Sequence, residues 1–214
     1  MLLSMKNNQI NAALKHLSDN DGTISTLIRK FGTCNLQPHS QYFNSLLRAI
    51  IGQQLSVKAA SSIYKRFNEY FNHKPKPEEI LKSSDLLLRG FGLSNAKVKY
   101  VKDLSLKVIS KEIKIRNFSD RTDEEIIFEL CKVKGIGLWT AQMFLMFTLG
   151  RMNVLPVSDL GIRKSIMLNY GLKKLPDEKK IRQIAKKNNW NPYCSIVSLY
   201  LWKSLDSNFE TIIE

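Results

Sequence analysis

The chain has 214 residues, long enough for one domain with a substantial core or for two small lobes. Its 33 Lys and Arg against 19 Asp and Glu give a formal charge of +14 and a pI of about 9.7, a balance that suits a polyanionic partner, nucleic acid before an anionic membrane surface. No apolar run reaches the ~18 residues of a spanning helix and the opening residues lack a signal-peptide layout, which argues against a membrane role.

Helical periodicity recurs along the chain, and alternating strand patterns with hairpin dipeptides are missing, so the expected fold class is all-α. A first helix is expected around Asn7–Leu17 and a short second one near Ile24–Phe31, followed by a break at "NLQPHS". From Tyr42 the text gives two helices, Gly52 closing the first and Ser56 starting the second. "KPKPEEILKSS" reads as a Pro-punctuated turn into a short helix, and "DLLLRGFGLSNAKVKYVKDLSLKVI" as helix, turn and long helix. "TDEEIIFELCKV" is amphipathic, with Thr122 as its N-cap and acids in the first turn.

Next comes "VKGIGLWTAQMF", two glycines one residue apart before a run of good helix formers. Gly135 and Gly137 fit a tight turn that accepts positive φ, with Trp139, Phe144 and Phe147 as core of the following helix. They equally fit an anion grip. Bare glycines let amides at a helix start approach a phosphate, the helix dipole favours negative charge there, and Lys132 and Lys134 flank the turn. Both readings stand on the pattern itself.

After Gly150, Pro156 breaks the helix, which resumes near Ser158 or Asp159. Two further helices, "PDEKKIRQIAKKN" and "NPYCSIVSLYLWKSL", carry prolines near their starts, as expected for first-turn positions. Basic residues are spread along the chain, which indicates a basic folded surface and not a basic tail. Cys34, Cys131 and Cys194 are far apart, read as reduced thiols, and with the three histidines make no metal signature.

Asp159, in "LPVSDLGIRKS", is the candidate for chemistry. It either caps the next helix or acts as a carboxylate beside DNA, where Pro156 stiffens its approach, Gly161 keeps the surface open, and Arg163 and Lys164 contact phosphate. Cleaving an N-glycosidic bond builds positive charge on the sugar, and a nearby carboxylate stabilises that charge while orienting water.

Three motifs in order carry a resemblance. "LLRAIIGQQLSVKAA", "LCKVKGIGLWTAQMFLMF" and "NVLPVSDLGIRKS" resemble the helix-hairpin-helix DNA glycosylase superfamily, in its branch of 3-methyladenine DNA glycosylases II, from about Tyr42 to Trp202. The resemblance implies Asp159 as the catalytic aspartate, Gly135 and Gly137 as hairpin glycines whose amides hold phosphate, and Trp139, Trp190 and Met143 as walls of a base pocket. Alkylated purines are cationic, and an indole face attracts a cation by ~0.5–2 kcal/mol while stacking on the ring. Trp139 stands where bifunctional relatives carry a nucleophilic lysine, which implies base excision without strand cleavage. Gln54 falls at the wedge position that fills the gap left by an extruded base, although a plain surface glutamine fits too. Trp190 also reads as a helix-end packing anchor, and Trp202 as core.

Two departures qualify the carry-over: Cys194 replaces a family Arg, and Met143 an often aromatic residue. The resemblance further implies two helical lobes, residues 45–150 and residues 1–44 with 151–214, with the hairpin at the cleft between them. It implies damaged double-stranded DNA as partner, a monomer, a cytoplasmic or, in a eukaryote, nuclear setting, and no iron–sulfur cluster, since the four-Cys spacing is missing. A structural monovalent cation on the backbone carbonyls of Cys131, Val133 and Ile136 belongs to the same expectation. A glycosylase for uracil or hypoxanthine, or a non-catalytic DNA-binding protein, are the alternatives.

Overall fold

In the computed structural model, which describes residues 2–34 and 36–205, every long element is helical and no strand occurs among the described residues. The all-α expectation holds. The chain divides into two compact units, one from Met1–Pro38 with Gly150–Glu214 and the other His39–Leu149. The expected division after residue 44 would cut a helix that begins at Tyr42; the change of unit falls instead in the loop at Pro38 and His39. Residues 206–214 of the expected terminal lobe lie outside the described residues.

The first unit contains α1 (Leu2–Asn20), α2 (Gly22–Phe31), α10 (Leu160–Asn169), α11 (Glu178–Lys187) and α12 (Cys194–Lys203). Helix α12 is its centre: Cys194 through Leu201 are all buried, as expected of a helix that is apolar on every side. Its serines solve the polar problem locally, Ser198 Oγ donating to the Cys194 carbonyl and Ser195 Oγ to that of Arg151 at 2.6 Å. The Tyr200 hydroxyl donates to the Gly32 carbonyl at 2.7 Å and accepts from the Cys34 N–H at 3.2 Å, which fastens the end of α2 to the core. Asp21, 3% exposed, caps α2 through the amides of Thr23 and Ile24. Pro176 and Pro192 lie just before the N-cap positions of α11 and α12, not in their first turns; only Pro77, opening α5, has the expected placement.

The second unit contains α3 (Tyr42–Gly52), α4 (Val57–Tyr70), α5 (Pro77–Lys82), α6 (Asp85–Gly90), α7 (Asn95–Ile109), α8 (Asp123–Leu130) and α9 (Leu138–Met143). Ser56 caps α4 through the Ala59 amide, and Thr122 and Glu125 form a reciprocal capping box on α8. The core joins Leu46, Leu47, Ile50 and Ile51 of α3 to Val98, Val101 and Leu104 of α7 and to Leu145 and Met146 beyond α9. One difference from expectation lies at that last place. The helix after the hairpin is α-helical for six residues only and then widens into a π turn at Phe144–Thr148, closed by the Leu149 N–H on the Phe144 carbonyl at 3.1 Å. Insertions of this kind often accompany functional sites, and 3.6-residue periodicity does not reveal them.

Candidate active site

In the second unit the hairpin glycines have different tasks. Gly135 has φ +85°, and a Cβ there would lie 2.3 Å from the Tyr100 ring, so both backbone and packing demand glycine. Gly137 has φ −101°, an ordinary extended value, and a Cβ would meet nothing within 4 Å. The expectation of positive φ therefore fails at Gly137. What that glycine supplies is an open N-terminus: it is the N-cap of α9 and has no side chain to accept from the first helical amides. Trp139, 47% exposed, is the second residue of that helix, and half-buried Met143 follows one turn later on the same face. The Lys134 side chain is exposed, while its backbone N–H donates to Asp103 Oδ2 at 2.8 Å.

Gln54 is exposed at the turn between α3 and α4, with φ +57°, a left-handed conformation that is uncommon for glutamine. The surroundings hold it there. Lys97 Nζ donates to the carbonyls of Ile51 at 2.7 Å and Gln53 at 2.8 Å, placing a positive charge at the C-terminal end of α3. Burial lowers the Lys97 pKa from its ordinary value. The side-chain amide of Gln53 donates to the Gly135 carbonyl at 2.7 Å.

In the first unit Asp159 is half-buried and is the N-cap of α10. Its Oδ1 accepts from the Ile162 N–H at 2.8 Å and from the Trp202 indole N–H at 2.9 Å. The capping reading is correct, and the carboxylate is held in one orientation besides. Gly161 makes room for this arrangement: a Cβ there would lie 3.0 Å from both Asp159 Oδ1 and Trp202 Cδ1. Lys164 is exposed, whereas Arg163 Nε donates to the Pro176 carbonyl at 2.9 Å and so braces the chain ahead of α11.

Residues 47–191 match the family of HhH-GPD superfamily base excision DNA repair proteins. The chain belongs to this superfamily. It is 30% identical to the alkylbase DNA glycosidase-like protein mag2 of Schizosaccharomyces pombe, over 92% of this chain and 95% of the relative. Among solved structures it is similar to the 3-methyladenine DNA glycosylase of the same yeast in complex with abasic DNA, with a TM-score of 0.78, 32% identity and coverage of 90% and 96%. It is also similar to a DNA-3-methyladenine glycosidase of Bacillus halodurans, with a TM-score of 0.80, 33% identity and coverage of 94% and 93%.

In this member of the HhH-GPD superfamily both C-terminal tryptophans depart from the surroundings expected of them. Trp190 is 0% exposed, and its indole N–H donates at 2.7 Å to Asp21 Oδ2, which also accepts from the Tyr170 hydroxyl at 2.6 Å. An indole with no accessible face cannot stack on a base, so Trp190 is scaffold and its placement in the base pocket is corrected. The expectation of Trp202 as core is corrected as well, for it is half-buried and touches the carboxylate. Cys194 is 8% exposed, and burial pushes its thiol up to about 11. Lys97, Tyr100 and Asp103, successive contacts from α7, and Gln53 escaped the sequence reading; a glutamine pair at a helix end was the only local signal. Among the described residues no group of three His, Cys, Asp or Glu is placed to hold a metal ion, and no helix is long and apolar enough to cross a membrane.

Proposed function

We propose that the chain is a monofunctional DNA glycosylase that excises alkylated purines of the 3-methyladenine type from double-stranded DNA by base flipping and hydrolysis of the N-glycosidic bond. The observation that carries this reading is the Asp159 carboxylate, fixed through Oδ1 by a helix amide and the Trp202 indole. A carboxylate so oriented stabilises positive charge developing on a sugar and aligns water without reorganising during the reaction. A cationic alkylated base is already a good leaving group, which removes the need for a strong general acid. Trp202, in contact with the carboxylate, takes the aromatic role that Trp190 cannot have, and Trp139 and Met143 offer an indole and a thioether on the hairpin unit. An aromatic at 139, where bifunctional relatives of the hairpin pattern have lysine, supports release of the base without a Schiff base.

The open amides after Gly137 and the exposed Lys134 serve the phosphate backbone, Lys164 adds a second cationic contact, Arg163 contributes through its remaining guanidinium nitrogens, and Gln54 is the wedge. A monovalent cation on the carbonyls of Cys131, Val133 and Ile136 would add only local positive charge. The Val133 carbonyl accepts from the Ile136 N–H at 3.0 Å and keeps a second lone pair for such an ion. The protein works as a monomer, in the bacterial cytoplasm or a eukaryotic nucleus, wherever its DNA lies. Single-turnover release of 3-methyladenine from a methylated duplex tests the assignment. No release by wild-type protein, with uracil or hypoxanthine released instead, would overturn it.

A further inference from the structure

The turn bearing Gln54 and the hairpin bearing Gly135 are 82 residues apart along the chain, as measured from Gln53, yet they share one set of fastenings. Gln53 is bound at both ends. Its carbonyl accepts from Lys97, and its side-chain amide donates to the Gly135 carbonyl. From the same helix as Lys97, the Asp103 carboxylate accepts from the Lys134 N–H, and the Tyr100 ring fills the space that a side chain at Gly135 would need. Helix α7 thus touches the turn from its first turn and the hairpin from its middle.

These contacts have a mechanical consequence. Left-handed backbone at a non-glycine residue persists only when its neighbours over-determine it. Lys97 holds the carbonyls of Ile51 and Gln53 immediately ahead of Gln54, and no residue type other than a long cation would satisfy both while complementing the end of α3. A wedge must keep its direction while it displaces a stacked base, and a phosphate grip must resist the recoil. We propose that Lys97 and Gln53 are positioning residues that clamp the Gln54 turn to the Gly135 hairpin, so that base extrusion and phosphate binding act as one rigid device. The inference rests on the glycosylase reading and adds to it how the wedge is held.

The test places 2-aminopurine opposite a stable abasic-site analogue, where insertion of the wedge unstacks the probe and raises its fluorescence without any chemistry. Wild type, Gln53→Leu, Lys97→Met and Lys97→Arg are compared by stopped flow, with anisotropy for affinity. Gln53→Leu should bind within ~3-fold of wild type yet insert at least ~10-fold more slowly, the scale on which remote misplacement of a working group is felt. Lys97→Met should slow insertion similarly, and Lys97→Arg, whose guanidinium still reaches both carbonyls, should restore most of the rate. In excision, Gln53→Leu should lose ~10-fold on a paired lesion and little on the same lesion in an unpaired bulge, where no extrusion is required.

Wild-type insertion kinetics in Gln53→Leu would overturn the clamp and leave the glycosylase reading intact. Equal losses on paired and bulged lesions would overturn it too, by marking a general scaffold defect. If Lys97→Met does not fold, Gln53→Leu decides. Absence of any fluorescence change with wild-type protein that binds the duplex would remove the wedge and the clamp together, whereas absence of binding in anisotropy would remove the DNA reading itself.

Discussion

Asp159 does two things through one oxygen, starting α10 on the Ile162 N–H and accepting from the Trp202 indole. Asparagine keeps a carbonyl oxygen for both donors and caps helices about as well, so Asp159→Asn should fold and bind DNA normally. It loses the negative charge, and single-turnover release of a sluggish lesion should fall by at least ~10²-fold. Release at the wild-type rate by folded mutant would remove Asp159 from the chemistry. Gly161 provides an independent check of the same geometry. In the first turn of α10 alanine favours helix by up to ~1 kcal/mol, yet its Cβ would press on both Asp159 and Trp202. The helix gain and the crowding oppose each other, so Gly161→Ala should shift Tm by no more than about 4 °C while lowering release roughly 10-fold. A variant that gained stability at full activity would show that the Asp159–Trp202 contact does not matter. Trp190 should behave in the opposite way. Phenylalanine there leaves Asp21 without its indole donor in a buried site, at a cost of ~1–3 kcal/mol of stability. Well below the melting transition, Trp190→Phe should excise at nearly the wild-type rate; selective loss of excision with unchanged Tm would return Trp190 to the base pocket.

Helix-hairpin-helix geometry depends on two glycines for unlike reasons, and substitution should separate them. Gly135→Ala meets both a left-handed backbone and the Tyr100 ring, so its unfolding free energy in urea should drop by about 2–4 kcal/mol. Gly137→Ala has an acceptable φ and open space, so stability should stay within ~0.5 kcal/mol while duplex affinity falls about 10-fold as the methyl obstructs a phosphate. Equal stability losses at both positions would contradict this division. The same elements show what the sequence made legible. Helix starts at Ser56, Thr122 and Asp159 were readable because a cap is settled within a few residues by the chain itself. So were the hairpin and the carboxylate, through ordered motifs. The roles of the tryptophans were not, because they are settled far away: Trp190 meets Asp21 across 169 residues and Trp202 meets Asp159 across 43. Burial against a distant partner leaves no trace in local periodicity, and the same holds for Gln53 on Gly135. The π turn after α9 was hidden for a different reason, since one inserted residue alters hydrogen bonding without altering the apolar pattern.

At the scale of the whole molecule, the proposed function has the +14 charge set affinity and the aromatic beside the carboxylate set selectivity, so the two should respond to different mutations. Phosphate contacts release counterions, so log Kobs for duplex should fall linearly with log[salt], by about 0.9 per phosphate neutralised. Lys134 and Lys164 are exposed, and replacing either with Gln should lower that slope by nearly one contact while weakening damaged and undamaged duplex alike. Arg163 differs because its Nε is engaged with the Pro176 carbonyl; Arg163→Gln should also lower Tm through loss of that brace. Trp202→Phe keeps an aromatic face, removes the indole N–H, and changes no charge. Its salt slope should equal that of wild type, while excision of alkylated purines drops as the carboxylate loses the indole donor on Oδ1. Anisotropy across a salt series, paired with single-turnover excision on the same duplexes, measures both quantities. If Trp202→Phe altered the slope, or Lys134→Gln impaired excision at saturating enzyme as severely as it impaired binding, then affinity and selectivity would share one surface and the separation would be wrong.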